Sequence, residues 1–261
     1  MWSNQVIHRR QRHWRDRLWS LIAKAYDYPL LQRLVYRPTQ QTLLRNLATQ
    51  NVFRILDVGC GTGEFTLALA NMFVEAEITG LDMAQGMIEE AQTKVANAGH
   101  RLHFAVADAQ QLTCSSTCYD LVTCTNSLIF YAHPKQALRE MHRVLVPGAE
   151  LGLVNLVMPA WARTLHLPIT GIHLPTLREM ENWCDDTGFR IKASGYVHPK
   201  MAWIFPFGYL VCTRLVEADL NDPMPFSDIK KCPGEVGRQG ITAENISRCM
   251  IRPRAQKWEF R

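Results

Sequence analysis

Asp57 and Glu64 stand on either side of three glycines, Gly59, Gly61 and Gly63, in the stretch RILDVGCGTGEF (54–65). A glycine turn between a strand and a helix brings backbone N–H groups and a helix N-terminus to a ligand, an arrangement that commonly cradles phosphate. The dinucleotide spacing is G-x-G-x-x-G, whereas the spacing here is G-x-G-x-G. A carboxylate about 4 Å from a pyrophosphate costs about 1–4 kcal/mol, depending on screening. Beside an ammonium or sulfonium the sign reverses, so the flanking acids point to a cationic ligand.

Two further acids extend the pattern. Asp82, in GLDMA, has the position of a strand-end carboxylate that accepts both hydroxyls of a ribose, and equally that of a cap for the next helix. Asp108, in VADAQQL, could accept from an exocyclic adenine amine or simply shape a turn. Three acids at three successive strand ends, with a glycine loop at the first, suit a nucleoside that carries a cation. Candidate general bases are His133, in FYAHP, and His166 and His173 further on; each also reads as an ordinary loop histidine. Cys114 and Cys118 form a C-x3-C pair with no second pair at finger spacing. The eight cysteines are therefore expected to be reduced thiols and no metal is expected.

These residues need elements to hold them. Strand patterns VFRILDV, AEITGLD, RLHFAVAD, YDLVTCTNSLIFY and ELGLVNLV alternate with helix patterns EFTLALANMF, AQGMIEEAQTKVANAG and PKQALREMHRVL, the last stopped by a VPGA turn. Such alternation implies βαβ units and a parallel sheet covered on both faces. PTLREMENWCDDTGF predicts a helix capped by Thr176, with Glu179 three residues on and Gly188 closing it. FRIKASGYV and FGYLVCT read as two last, antiparallel strands. Residues 1–50 read as a helical cap: Trp14, Leu18, Leu21, Ile22 and Ala25 share one face, and Thr39 is placed to cap a helix running to Leu47. Residues 51–215 form the main domain, and 216–261 read as an extension with a partly disordered composition.

The motifs LDVGCGTGEF, GLDMAQGMIEEAQ, FAVADAQQL, YDLVTCTNSLIFY and ALREMHRVLVPGAEL resemble, in order and spacing, the class I S-adenosylmethionine-dependent methyltransferases. They look most like the branch with the ubiquinone/menaquinone C-methyltransferases and many small-molecule enzymes. The resemblance is close over residues 52–157 and loose over 175–213. It implies an α/β, Rossmann-like doubly wound fold: a mostly parallel seven-stranded sheet with an antiparallel last strand and helices on both faces. It implies S-adenosylmethionine as cofactor. Asp57, Gly59, Cys60, Gly61 and Gly63 would hold its methionine part, and Asp82 its ribose. Met83 would pack on the adenine, and Asp108 and Ala109 would meet its amine and ring edge. The Asn126 backbone would lie under the methionyl portion. Tyr26 and Tyr28 either close over the cofactor or pack within the cap. Ala149 departs from the family's second glycine after Pro-Gly, which should alter only a turn.

The expected activity is methyl transfer to O, N or C of a small apolar or aromatic molecule, such as a quinone, a lipid headgroup or a natural product. The other readings are a nicotinamide-dependent oxidoreductase and a cofactor-binding protein without catalysis. Nucleic-acid acceptors are disfavoured, because TNSLIFY lacks the Pro-Pro-aromatic run of nucleobase amine methylation and the net charge of +5 comes largely from residues 1–24. That basic segment is either the outer face of the cap helix or a contact for anionic lipid or a carrier protein. MPAWARTLHLPITGIHLP (158–175) suits an apolar substrate lid. No run is long and apolar enough to span a membrane and no secretory signal is evident, so the cytoplasm is expected.

Overall fold

The computed structural model describes residues 27–48, 50–95, 101–159, 174–203 and 206–215. Contacts divide the chain into Met1–Asn221 and Asp222–Arg261, and every described residue belongs to the first unit. The helical pattern around Trp14–Ala25, Tyr26, His166, His173, the centre of the lid segment and the tail after 215 lie outside the described residues.

Seven strands form one sheet in the order β3-β2-β1-β4-β5-β7-β6. They are β1 (Arg54–Val58), β2 (Glu77–Asp82), β3 (Leu102–Val106), β4 (Tyr119–Thr125), β5 (Leu145–Leu156), β6 (Phe189–Tyr196) and β7 (Phe207–Arg214). β1 to β5 pair in parallel, and β7 runs antiparallel between β5 and β6. The expected doubly wound sheet with its antiparallel last strand is thus present. Strand order reverses between β1 and β4, the switch point at which open α/β sheets hold ligands.

The helices are α1 (Arg37–Asn46), α2 (Glu64–Met72), α3 (Gln85–Val95), α4 (Pro134–Val144) and α5 (Leu177–Asp185). Strand alternation separates two cores. Leu56, Val58, Val122, Leu151 and Leu153 pack with Leu138 and Met141 of α4 and Met180 of α5. Ile55, Ile78, Leu121 and Val154 pack on the other face with Leu43 of α1 and Phe65 and Leu69 of α2. Thr176 caps α5 as expected, in a reciprocal capping box with Glu179, and Gly188 takes a left-handed φ of 89° in the following turn.

Three expectations change. β4 stops at Thr125; Asn126 turns left-handed and Leu128–Phe130 form a 3-10 turn, so SLIFY is not strand. The VPGA segment lies within β5 as an irregularity and does not precede it as a separate turn. Thr39 does not cap α1. The helix starts earlier, with Pro29–Leu31, and widens to a π turn over Gln32–Tyr36, where the Arg37 N–H donates to the Gln32 carbonyl. Pro38 is the cause: it lacks an N–H and its ring crowds the preceding turn, and the wider turn accommodates both.

Candidate functional site

The glycine loop is held from the β2 side. Gly59 and Cys60 N–H both donate to the Leu81 carbonyl, at 2.7 and 3.0 Å. Gly61 N–H donates to Asp82 Oδ2 at 3.0 Å. Gly59, Gly61 and Gly63 have φ of 72°, 54° and 81°, the region that glycine enters without penalty. At Gly59 space decides as well, since an added Cβ would lie 2.2 Å from Ser127 Oγ. Ser127 is fixed there by donating to the Val58 carbonyl at 3.2 Å and by contacts with Tyr131 Oη at 3.0 Å and Cys124 Sγ at 3.1 Å.

The acids fall into different places. Asp82 sits beside the loop, with its Oδ1 accepting from Ala84 N–H at 2.9 Å. It therefore shapes the following turn and braces the loop at once. Asp108 accepts from the Gln110 backbone and side chain, at 2.9 and 3.2 Å. Gln110 Oε1 in turn accepts from His133 N–H at 2.8 Å, so the third strand end and the start of α4 meet. His133 precedes Pro134 at the head of α4 and is exposed. Met83 is half-buried and Ala109 buried along the same edge. Asp57 lies beneath the loop at 0% exposure. Its two oxygens accept from Thr66 Oγ1 at 2.7 Å and Thr123 Oγ1 at 2.9 Å. Burial pushes its carboxyl up from 3.8 to about 6, against the two threonine bonds. Burial also raises the Cys60 thiol, and the charges of Asp82 and Asp57 raise it further. The loop floor is electronegative, which suits a cation and opposes a phosphate. Glu64 contributes less than the sequence suggests, because Lys94 pairs with it at 2.9 Å.

Residues 55–148 match the protein family described as "Methyltransferase domain". They are a class I S-adenosylmethionine-dependent methyltransferase domain. Over 147 residues the chain is 32% identical to the demethylmenaquinone methyltransferase of Deinococcus radiodurans, a match covering 55% of this chain and 60% of that protein. It is 30% identical over 154 residues to the malonyl-(acyl-carrier protein) O-methyltransferase of Brevibacillus brevis, covering 58% and 55%. The chain thus spans less than two thirds of the length of these relatives. Among solved structures, a SAM-dependent methyltransferase from Aquifex aeolicus matches with a TM-score of 0.60 at 17% identity, covering 75% of this chain and 98% of that one. The cyclase SpnF matches with a TM-score of 0.60 at 22% identity, covering 68% and 80%. Likeness at these identities speaks for the fold alone.

The family's cofactor is S-adenosylmethionine, and the methyltransferase domain fits it. At Gly59 and Gly63 a Cβ would meet Ser127 and Phe104 of the protein itself, so glycine keeps the loop tight against its neighbours. Asp82 places a carboxylate beside it, with Gly61 and Ala84 using two of its roughly four acceptor positions. Sequence reasoning missed several residues that shape this site. Asp27, from the segment before α1, accepts from Thr62 Oγ1 at 2.6 Å and pairs with Lys94 at 2.5 Å. Lys94 therefore bridges Asp27 and Glu64 across the loop. Thr62, Thr66, Ser127 and Thr123 escaped because lone hydroxyls have no distinctive spacing. Among the described residues, no cluster of His, Cys, Asp and Glu could hold a metal ion.

Proposed function

We propose that the chain transfers a methyl group from S-adenosylmethionine to a small, apolar or aromatic acceptor. The observation that carries this reading is the Asp82 carboxylate joined to Gly61 N–H of a left-handed glycine loop at the switch point. It combines a ribose acceptor with close backbone approach on an electronegative floor. Bound there, the cofactor supplies an electrophilic methyl on a sulfonium. Asp82 accepts the ribose hydroxyls, Met83 packs on the adenine, and Asp108 and Ala109 face its amine and ring edge. Asp57, through Thr66 and Thr123, ties β1, α2 and β4 together beneath the loop and adds negative charge below it. Methyl transfer is an in-line displacement, so alignment of the nucleophile is the protein's main contribution. His133 at the start of α4 is the base proposed for acceptors that must lose a proton. The relatives' names support a quinone-like or carrier-bound acceptor.

Calorimetry with S-adenosylhomocysteine tests this, with NAD as the counter-probe for the oxidoreductase reading. The expected result is binding of the former alone, and weakening by at least about tenfold in Asp82→Ala. Unchanged affinity in folded Asp82→Ala would remove the ribose role. His133→Ala should lower turnover of any acceptor found with methyl-labelled cofactor and leave cofactor affinity intact.

A further inference from the structure

Asn126 follows β4 directly, on the β4 side of the switch point. Its φ is 56°, and its N–H donates to the Val154 carbonyl at 2.6 Å. The left-handed turn aims its side chain toward α1, where Nδ2 lies 3.5 Å from Thr39 Oγ1. Thr39 donates its own hydroxyl hydrogen to the Tyr36 carbonyl at 2.7 Å, so toward Asn126 it can only accept. The amide must therefore present its NH2 to Thr39, and Oδ1 faces the other way. That oxygen is buried and has no hydrogen-bond partner. A buried carbonyl without a donor is costly, and native proteins leave few of them.

We propose that Asn126 Oδ1 is a subsite for an N–H or O–H donor of a bound ligand, and that this donor belongs to the methyl-accepting molecule. This rests on the methyltransferase reading of the same site. Position favours the acceptor as the source. Asp82 ends β2, and Asp108 lies in the turn two residues past β3, both in the β1–β3 half of the sheet. The helix carrying Thr39 instead packs against β5, with Leu43 and Leu47 on Gly152. An amide takes no proton, so Asn126 positions the nucleophile: it holds the hydroxyl or amine hydrogen and leaves a lone pair, or the ring carbon beside a phenol, for the methyl. Oδ1 is closed to solvent, so a ligand donor reaches it through a local rearrangement around Asn126. Asp27 latches the segment before α1 to Thr62 and Lys94.

The α-ammonium of the cofactor is a donor of the same chemistry, and the test separates the two sources. Asn126→Gly keeps the left-handed backbone and removes the acceptor; Asn126→Asp keeps an acceptor at the same place. In the first arm, S-adenosylhomocysteine and 5′-methylthioadenosine, which lacks the amino-acid part, are titrated into each protein. In the second, 1,4-dihydroxynaphthalene kept reduced, and 1,4-dimethoxynaphthalene, are titrated into protein saturated with S-adenosylhomocysteine. The expected result is that the wild type prefers the diol by about tenfold, Asn126→Gly loses that preference, and Asn126→Asp keeps it. The ratio of the two nucleosides should stay unchanged. A fall in that ratio confined to Asn126→Gly would keep the subsite and assign it to the ammonium. If Asn126→Gly, folded by circular dichroism, changes neither ratio, the proposal is overturned. Failure of the wild type to bind S-adenosylhomocysteine at all would instead sink the methyltransferase reading.

Discussion

Ionising a carboxylate at 0% exposure costs more than its two threonine hydrogen bonds return, and Asp57 accordingly titrates near 6 rather than 3.8. A folded value above the unfolded one means that the folded protein binds more protons between the two. Stability from this group is fully present below pH 3.8 and is lost as pH rises through about 6, a loss of roughly 3 kcal/mol. Asp57→Asn removes the ionisation and keeps the size. Its melting temperature relative to wild type should therefore be higher at about pH 7 than at about pH 4. Equal differences at both would show that Asp57 is not the titrating group. The acids at 57, 82 and 108 are legible in the sequence because each ends an apolar run. Their directions are not: Asp57 shares the face of Ile55 and turns down to Thr66 and Thr123, and the charge of Glu64 is offset by Lys94, thirty residues away, through a fold the motif does not contain.

The segment from Asp27 to Ala48 acts as a strap between two parts of the sheet. At its C-terminal end Leu43 and Leu47 lie on Gly152, where a Cβ would come within 3.0–3.3 Å of them, and Ala48 N–H donates to buried Glu150 at 2.8 Å. At its N-terminal end Asp27 engages Thr62 and Lys94 beside the cofactor loop. The Asp27–Lys94 pair is about three-quarters buried on each side, so it is screened less than a surface pair. Asp27→Asn keeps the hydrogen bond with Thr62 and removes the ion pair. It should weaken S-adenosylhomocysteine binding on the order of fivefold, with a faster off-rate and a smaller dependence on salt between about 0.05 and 0.5 M. Stopped-flow displacement at both salt concentrations measures this, and a variant with wild-type off-rates would remove the latch. A helix running to about Leu47 is legible in the sequence, but its start is not, since Thr39 does not cap it. The latch is not, because Asp27 finds partners 35 and 67 positions away, and the π turn arises from Pro38 acting on a helix already under way.

At the scale of the whole domain, alternating strand and helix patterns suffice for a doubly wound sheet, and βαβ crossovers leave few ways to arrange it. The insertion of β7 between β5 and β6 is less legible, since two short alternating strands pair equally well in several orders. Pairing decides it: Leu151, Leu153 and Leu156 of β5 stand opposite Cys212, Leu210 and Phe207 of β7, and β6 takes the outer edge. That β6 has exposed residues at alternate positions, Arg190, Lys192 and Ser194, fits an edge strand. Among the described residues, all seven strands end by Arg214 and the buried members of both cores lie between Leu43 and Cys212. The first unit ends at Asn221. A chain stopped after Asn221 should therefore retain the cooperative unfolding of the full chain. Its melting temperature should stay within about 3 °C and its S-adenosylhomocysteine affinity within about twofold. Calorimetry of the two proteins side by side measures both quantities. A fall of more than about 10 °C would mean that residues 222–261 belong to the folded domain. A normal melting temperature with lost affinity would instead assign those residues to the ligand site.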